Sequence, residues 1–332
     1  MGSTSSFIRN FSRHPVNILR EKTFVLLGLK VFRFNKEEVY KSSKTVLKKI
    51  DDTTRMLQGS PSGDEGKKAL YVIKIGGSII DDQIKLSSFL KEFASITDRK
   101  ILVHGGGKLA TQLAEKLGIE QKLIDGRRIT DAATLKIVTM VYAGYINKNI
   151  VAQLQSDGCN AIGMCGADGD AIRAHKRHHP VIDYGFVGDI DDIDTTLFNN
   201  LLKQHFTVVV APITHNKEGQ LLNTNADTIA QEIAKAMSSV YDVNLIYSFE
   251  KGGVLTDIND ENSVLPELSW SYYQQLKAPG EGASKIYEGM IPKLDNAFSA
   301  LKGGVKKVMV GKAEKIKELV TGQSGTTIIH GE

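Results

Sequence analysis

From residue 70 onward, short apolar runs alternate with longer amphipathic segments. The apolar runs predict buried strands, at residues 70–73, 101–103, 208–211, 245–247, 305–310 and 327–329. The spacing of apolar positions between them predicts helices, at residues 79–94, 109–117 and 228–237. Fully apolar strands separated by helices are typical of a parallel sheet covered on both faces. We therefore expect an α/β protein, a three-layer αβα sandwich with a mainly parallel central sheet.

Three segments fall outside this alternation. Residues 183–190 are rich in Gly and Asp, and we expect a hairpin that projects from the sheet. Residues 59–66 form a polar linker of Ser, Pro and Gly, and residues 35–57 before it have the pattern of an amphipathic helix. Residues 1–69 therefore form an N-terminal extension to the alternating core.

The start of this extension is basic. Residues 9–33 contain six Arg or Lys side chains and a single acid, Glu21, among serines and apolar residues. This composition resembles an organellar transit peptide. A basic arm that stays on the protein fits the same composition, so cytoplasm and mitochondrial matrix both remain open as locations.

Composition excludes two classes of partner. The formal net charge of +4 is small, and the basic residues do not form a stripe interleaved with aromatic ones, so we expect no nucleic-acid partner. No apolar run approaches the roughly 20 residues that span a bilayer. We therefore expect no membrane segment.

Two glycine-rich turns directly follow predicted strands. The sequence KIGGS occupies residues 74–78, and HGGG occupies residues 104–107. Glycines at such positions let the backbone turn sharply and bring N–H groups close to an anion. Each turn also leads into a predicted helix, whose N-terminus favours negative charge. Both turns are candidate sites for a phosphate or carboxylate group.

Other enzyme classes with glycine-rich motifs are excluded by inspection. A P-loop needs Ser or Thr after its lysine, but Leu109 follows Lys108. No G-x-G-x-x-G with a suitably spaced acid supports a dinucleotide site. The nearest match to a hydrolase nucleophile elbow, residues 59–63, has Pro61 where the serine should stand.

Two lysines and one aspartate are candidates for the chemistry itself. Lys74 ends the first strand, Lys293 closes the sequence GMIPK at residues 289–293, and Asp227 closes NTNAD at residues 223–227. Phosphoryl transfer depends mainly on positioning and charge neutralisation, which such groups can supply. A lysine that snorkels from a strand end and a carboxylate that caps a helix are the structural alternatives.

Residues 71–329 resemble the N-acetylglutamate kinases of the amino acid kinase family. The shared motifs include KIGGS, HGGG, NTNAD and GMIPK. Three more are DGRRITD at residues 125–131, MVYAG at 140–144 and NK at 147–148. The G-x-R-x-T-D element is the specific part, because it separates these kinases from relatives that act on aspartate, glutamate, carbamate or nucleotide monophosphates. The match covers more than three quarters of the chain.

The resemblance implies the amino acid kinase fold, with an N-lobe at residues 70–206 for the acyl amino acid and a C-lobe at residues 207–332 for ATP. The implied reaction is ATP-dependent phosphorylation of the side-chain carboxylate of N-acetyl-L-glutamate to N-acetylglutamyl 5-phosphate, in arginine or ornithine biosynthesis. Two alternatives stay open, a kinase for another N-acylglutamate such as N-succinylglutamate and a non-catalytic, arginine-sensing regulatory subunit. Retention of the two lysines and the aspartate argues against the second.

The resemblance also assigns roles to single residues. Lys74 and Lys293 are expected to stabilise the transferring phosphoryl group, and Asp227 to orient both. Substrate contacts are expected at Gly106, Gly107, Arg128, which would bind the α-carboxylate, and Asn223. Nucleotide contacts are expected at Gly76, Gly77, Glu250, Lys251, Gly252, Gly253, Val254, Leu255, Lys285 and Tyr287. Mg²⁺ would be carried on the ATP phosphates without a dedicated protein site.

Assembly and regulation follow from the same resemblance. Arginine-inhibited members carry an N-terminal helix that links dimers into a hexamer, together with a C-terminal segment that residues 318–326 partly match. Residues 35–57 are the candidate for that helix. An arginine-inhibited hexamer and an unregulated homodimer both remain open.

Overall fold

A computed structural model describes residues 67–124, 127–257, 259–277 and 290–329. The strands are β1 (Ala69–Ile75), β2 (Arg99–Val103), β3 (Leu123–Ile124), β4 (Arg127–Arg128), β5 (Ala161–Met164), β6 (Ile172–Lys176), β7 (Gly188–Ile193), β8 (Thr207–Val210), β9 (Ile213–His215), β10 (Leu221–Asn223), β11 (Asp242–Phe249), β12 (Glu267–Ser269), β13 (Lys307–Lys312) and β14 (Thr326–Ile329). The α-helices are α1 (Gly77–Asp81), α2 (Gln83–Ala94), α3 (Gly107–Lys116), α4 (Ala132–Val138), α5 (Asn147–Ser156), α6 (Thr195–Lys203), α7 (Ala226–Met237), α8 (Trp270–Lys277), α9 (Ile291–Lys302) and α10 (Ile316–Thr321).

The central sheet has eight strands in the order β12-β14-β13-β11-β1-β2-β8-β5. Neighbouring strands run parallel, except that β14 is antiparallel to β13. Parallel neighbours require crossover connections, and helices supply most of them here. The predicted mainly parallel sheet is confirmed.

Both faces of the sheet are buried under helices. On β1, Leu70 and Val72 join one apolar core together with residues of α7 and α9. The alternate positions Ile73 and Ile75 join a second core with residues of α2 and α5. Successive side chains of a strand point to opposite faces, so one apolar strand can serve two cores. The three-layer αβα prediction is thus confirmed.

A second, four-stranded sheet has the order β10-β9-β6-β7, in which β6 and β7 are antiparallel. The Gly- and Asp-rich segment at residues 183–190 leads into β7. It is tied to the rest of the fold, because the backbone N–H of Thr130 donates to the carbonyl of Tyr184 and Phe186 donates back to Thr130. The expected projecting hairpin is therefore anchored at Thr130.

The helical pattern at residues 79–94 is divided between two helices. Asp82 has an extended backbone (φ −113°, ψ 108°), and its carboxylate accepts from the N–H groups of Ile84 at 3.0 Å and Lys85 at 3.1 Å. Asp82 thus caps α2 and ends α1. Apolar periodicity runs across both helices and does not register this break.

The predictions for residues 1–66, namely the transit peptide, the amphipathic helix and the linker, lie outside the described residues. Within the part of the chain that the structure describes, every helix is too short or too polar to cross a membrane. The division of the core into two lobes stays a prediction.

Candidate active site

Two lysines meet one aspartate at the carboxyl edge of the central sheet. Lys74 lies near the end of β1, Asp227 in the first turn of α7 and Lys293 in the first turn of α9. The Nζ atom of Lys74 is 2.7 Å from Oδ1 of Asp227, and the Nζ atom of Lys293 is 3.0 Å from Oδ2. Both carboxylate oxygens are therefore occupied by ammonium groups from distant parts of the chain.

Asp227 is free to bind both lysines because another residue caps its helix. The side-chain oxygen of Asn225 accepts from the N–H groups of Asp227 at 2.8 Å and Thr228 at 3.1 Å. Asn225 is thus the N-cap of α7. The alternative interpretation of Asp227 as the cap is not what the structure has.

The three charges lie in a largely buried environment. The side chains of Lys74, Asp227 and Lys293 are 11%, 14% and 26% exposed. Burial by itself raises the pKa of Asp227, but the neighbouring charges of Lys74 and Lys293 outweigh it and lower this pKa to about 2. Two ammonium groups against one carboxylate leave a net positive charge at a defined position. Such a site suits an anion.

The two glycine turns emerge side by side, because β1 and β2 are neighbours and Lys74 is paired with Val103 across them. In the first turn, the N–H of Gly76 donates to the carbonyl of Ser248 at 2.9 Å, which ties the turn to β11. At Gly77, no heavy atom among the described residues lies within 4 Å of where a Cβ would stand, leaving chain neighbours aside. The space on this side of Gly77 is therefore open.

The second turn requires glycine at Gly106. Its φ of +141° lies in a region that residues with a side chain rarely adopt, and an added Cβ would overlap Ile146. Gly107 begins α3, and its carbonyl accepts from the Nη2 atom of Arg128 at 2.9 Å. Backbone and guanidinium are thus brought together at this turn.

A buried histidine–asparagine pair supports the second turn. His104 is fully buried, and its Nδ1 atom is 2.9 Å from the carbonyl of Gly105. Its Nε2 atom is 3.2 Å from Nδ2 of Asn147, which also donates to the carbonyl of Val209. Burial lowers the pKa of His104 to about 4, so the ring is neutral near pH 7. These partners assign the proton to Nδ1 and make Nε2 the acceptor.

Arg128, on β4, lies over the first turn of α3. Besides Gly107, its Nη2 atom donates to the hydroxyl of Thr111 at 2.8 Å, and its Nη1 atom donates to the side chain of Gln121. These bonds fix the plane of the guanidinium. Arg128 and Gly107, both predicted to bind substrate, are therefore in direct contact.

Asn223, at the end of β10, lies close to Thr130 and to the segment at residues 183–190. Its side-chain amide donates to the hydroxyl of Thr130 at 3.0 Å, and its backbone N–H donates to the carbonyl of Phe186 at 2.8 Å. Thr130 is two residues from Arg128. The structure thus groups Asn223 with the DGRRITD element.

The segment at residues 250–255 follows β11 and is pinned to β14. The N–H of Val254 donates to the hydroxyl of Thr326 at 2.8 Å, and this hydroxyl donates to the carbonyl of Leu265 at 2.6 Å. Lys251 pairs with Glu261 at 3.2 Å. Contacts of this segment with a nucleotide stay predictions. Lys285 and Tyr287, also predicted to bind the nucleotide, lie outside the described residues.

Sequence reasoning missed several residues that the structure brings to the site. They are His104, Thr111, Gln121, Thr130, Tyr142 and Asn147. Four of them belong to motifs that were recognised without a role for those positions, whereas Thr111 and Gln121 belong to none. Among the described residues, no group of three or more His, Cys, Asp or Glu side chains could hold a metal ion.

Two known proteins are similar to this chain over about three quarters of its length. The acetylglutamate kinase of Cytophaga hutchinsonii is 54% identical over 254 residues, which cover 76% of this chain and 94% of that protein. The acetylglutamate kinase of Bacteroides thetaiotaomicron is 51% identical over 252 residues, covering 76% and 96%. At these identities, the two proteins are relatives of this chain.

Solved structures support the fold. The N-acetylglutamate synthase from Neisseria gonorrhoeae, complexed with coenzyme A and N-acetyl-glutamate, matches with a TM-score of 0.66 and 20% identity. The match covers 80% of this chain and 60% of that protein, and at this identity it speaks for the fold alone. The sequence model of the amino acid kinase family matches residues 69–312. The chain therefore belongs to the amino acid kinase family, and its relatives within that family are acetylglutamate kinases.

Proposed function

We propose that this chain transfers the γ-phosphoryl group of ATP to the side-chain carboxylate of N-acetyl-L-glutamate, giving N-acetylglutamyl 5-phosphate and ADP. The observation that supports this proposal most directly is the cluster of Lys74, Asp227 and Lys293, in which one ionised carboxylate holds two ammonium groups. The acetylglutamate kinases to which the chain is similar support the choice of acceptor. The product is an intermediate of arginine biosynthesis.

The chemistry needs no covalent intermediate with the protein. An oxygen of the acceptor carboxylate attacks the γ-phosphorus, and the bond from that phosphorus to the bridging oxygen breaks, with its electron pair leaving on ADP. Lys74 and Lys293 neutralise the charge on the transferring group and the bridging oxygen. Asp227, with its lowered pKa, stays ionised and holds both lysines in place.

The acceptor would bind between the second glycine turn and the β3–β4 hairpin. Arg128 binds the α-carboxylate through an N–H group that its contacts within the protein leave over, a task for which guanidinium groups are well suited. A guanidinium has five N–H donors, more than Gly107, Thr111 and Gln121 together require. The N–H groups of Gly106 and Gly107 and the amide of Asn223 complete the contacts to the acyl amino acid.

ATP would approach from the first glycine turn. The open space at Gly77 and the net positive charge of the lysine pair fit its phosphates. Base and ribose contacts are proposed for residues 250–255, with Lys285 and Tyr287. Mg²⁺ would be carried on the phosphates, where it would neutralise their charge, and the chain's own part is to hold those phosphates.

We further propose a homo-oligomer in which residues 1–66 decide between a dimer and an arginine-inhibited hexamer. Light-scattering mass and activity at millimolar arginine, with and without residues 1–66, test this proposal. If the deletion changes neither the oligomeric state nor the inhibition by arginine, residues 1–66 are a targeting segment or an arm without a role in regulation. Import of a fusion of residues 1–66 into isolated mitochondria tests a mitochondrial location.

The proposed reaction is tested by a panel of acceptors. ADP release is measured with N-acetylglutamate, N-succinylglutamate, glutamate and aspartate, and hydroxylamine traps the acyl phosphate as a hydroxamate. We expect N-acetylglutamate to give the highest kcat/KM, with a hydroxamate in proportion to ADP. Preference for N-succinylglutamate would transfer the proposal to that acceptor, and no turnover with any of the four would leave the regulatory alternative.

A further inference from the structure

Between α4 and α5, residues Thr139–Ile146 form a π-helical segment. Single π-helical turns are rare and often occur at functional sites, because they change which side chains face inward. Here the segment buries Tyr142 and Ile146, while Met140 and Tyr145 are 54% and 65% exposed. The widened helix thus presents Tyr142 to the interior.

Tyr142 lies along the second glycine turn. A Cβ at Gly106 would stand 3.3 Å from Cδ1 and 3.4 Å from Cε1 of its ring. A Cβ at Gly107 would stand 4.0 Å from its hydroxyl oxygen and 3.8 Å from Nη2 of Arg128. The missing side chain at Gly107 therefore leaves a space that the phenol and the guanidinium both border.

The chemistry of the two groups is complementary. Burial raises the pKa of Tyr142, against the opposing effect of the Arg128 charge, and the hydroxyl keeps its proton. A buried phenol normally has a hydrogen-bond partner. Since a guanidinium can only donate, the phenol oxygen is the acceptor towards Arg128, and its own O–H is left for a further acceptor. A carboxylate bound at Arg128 is such an acceptor.

We propose that Tyr142 is a positioning and specificity residue for the acyl amino acid, holding the Arg128 guanidinium beside Gly107 and donating its own hydrogen bond to the α-carboxylate. This inference rests on the proposed function, because it concerns the same acceptor. It adds a residue that selects for a carboxylate next to the acylated nitrogen. An acceptor that lacks this group, such as 4-acetamidobutyrate, would gain nothing from the phenol.

The experiment removes one oxygen atom by Tyr142→Phe. We expect KM for N-acetylglutamate to rise roughly tenfold, the effect of one hydrogen bond to a charged group. We expect kcat and KM for ATP to stay within about twofold, while kcat/KM for 4-acetamidobutyrate is unchanged. Tyr145→Phe, on the exposed side of the same segment, is the matched control and should behave as the unaltered protein does.

A double-mutant cycle with Arg128→Lys tests whether Tyr142 acts through the guanidinium. In that background, we expect Tyr142→Phe to change KM by less than about twofold. An unchanged KM in the single variant, an equal tenfold rise in both backgrounds, or a joint loss of kcat and both KM values would overturn the proposal. Thermal unfolding and calorimetric binding of the acceptor are measured for each variant, so that a folding defect is separated from a binding defect.

Failure of the proposed function has a different signature. It would appear in the unaltered protein as a lack of turnover with N-acetylglutamate. The Tyr142 cycle is then measured by calorimetry with whichever acyl amino acid binds. A tenfold rise in Kd on Tyr142→Phe that depends on Arg128 still supports the role proposed for Tyr142. An affinity that ignores Tyr142→Phe counts against it.

Discussion

Asp227 is the residue on which the proposed centre depends. One carboxylate holds Lys74 and Lys293 in a site that is largely shielded from water, so neither ammonium group can be moved without leaving a buried charge unpaired. The same carboxylate opposes the lysines' charge only in part. It therefore orders the two lysines and leaves a net positive charge for the transferring group.

We predict that Asp227→Asn lowers kcat by about a hundredfold or more, because the two lysines lose the group that orients them. A surface pair supplies the control. Asp242 binds Lys306 away from the site, and Asp242→Asn should change kcat by less than about twofold. Steady-state kinetics with both substrates saturating measure the two effects. Similar kcat values for the two variants would remove Asp227 from the centre.

A second prediction concerns Arg128. Arg128→Lys keeps the positive charge but loses the planar fork and its bonds to Thr111 and Gln121. We expect KM for N-acetylglutamate to rise about tenfold or more, with KM for ATP nearly unchanged. Separate titrations of the two substrates check this prediction. A rise in KM for ATP alone would move Arg128 to the nucleotide side.

At this scale, the sequence predicted the groups that carry formal charge and missed those that support them. Lys74 stands out because a charged residue at the end of a buried strand is unusual, and Asp227 and Lys293 because each closes a recognised motif. The roles of Asn225 and Tyr142 depend on contacts with side chains and helix turns, and a pattern along the chain does not encode these contacts.

At the scale of elements, the second glycine turn is held from both sides. Ile146 and Tyr142 fill the space against Gly106, and the buried pair of His104 and Asn147 joins the turn to the sheet. The backbone N–H groups proposed to contact the acceptor are thereby fixed before it binds, which lowers the ordering cost of binding.

The positive φ at Gly106 gives a prediction with a control one residue away. Gly106→Ala forces a side chain into a left-handed conformation and against Ile146, so we expect a loss of roughly 2 kcal/mol or more in the free energy of unfolding. Leaving its chain neighbours aside, Gly105 has no described atom within 4 Å of an added Cβ, and Gly105→Ala should cost less than about 1 kcal/mol. Urea unfolding of both variants measures the two losses in the free energy of unfolding. Equal losses would mean that the turn is not rigid at Gly106.

His104 makes stability depend on pH. Its folded pKa of about 4 lies below the usual 6.5, so between these values the unfolded chain binds a proton that the folded one does not. The contribution of His104 to the free energy of unfolding is complete above pH 6.5. It falls by roughly 3 kcal/mol in total as the pH drops towards 4. Urea unfolding at pH 7 and pH 4 should show that His104→Gln removes most of this fall.

The control for this pH dependence is His178→Gln, at an exposed histidine, which should leave the fall in place. An identical pH dependence in His104→Gln would mean that His104 is not held neutral by burial.

Elements were predicted well where apolar periodicity alone defines them. The strand at residues 70–73 and the helix at residues 228–237 lie within β1 and α7. The break between α1 and α2 was missed, because it depends on a single carboxylate, Asp82, that binds backbone N–H groups. The π-helical segment at Thr139–Ile146 was missed as well, since apolar spacing along the chain does not distinguish it from an α-helix.

At the scale of the whole molecule, strand order brings the parts of the site together. The neighbours β11, β1 and β2 end at the same edge of the sheet, and α7 and α9 add Asp227 and Lys293 there. Ligands of open parallel sheets bind at such an edge. The sequence indicated a parallel sheet but not this order, because strand pairing depends on contacts between segments far apart in the chain.

In the proposed reaction, two lysines held by one aspartate stabilise the transferring phosphoryl group. The most direct test is the rate of hydroxamate formation from N-acetylglutamate, with both substrates saturating, in Lys74→Ala, in Lys293→Ala and in the unaltered protein. We expect each substitution to lower this rate by about a hundredfold or more, and the double variant to be little slower than either single one. A rate close to that of the unaltered protein in either single variant would contradict it.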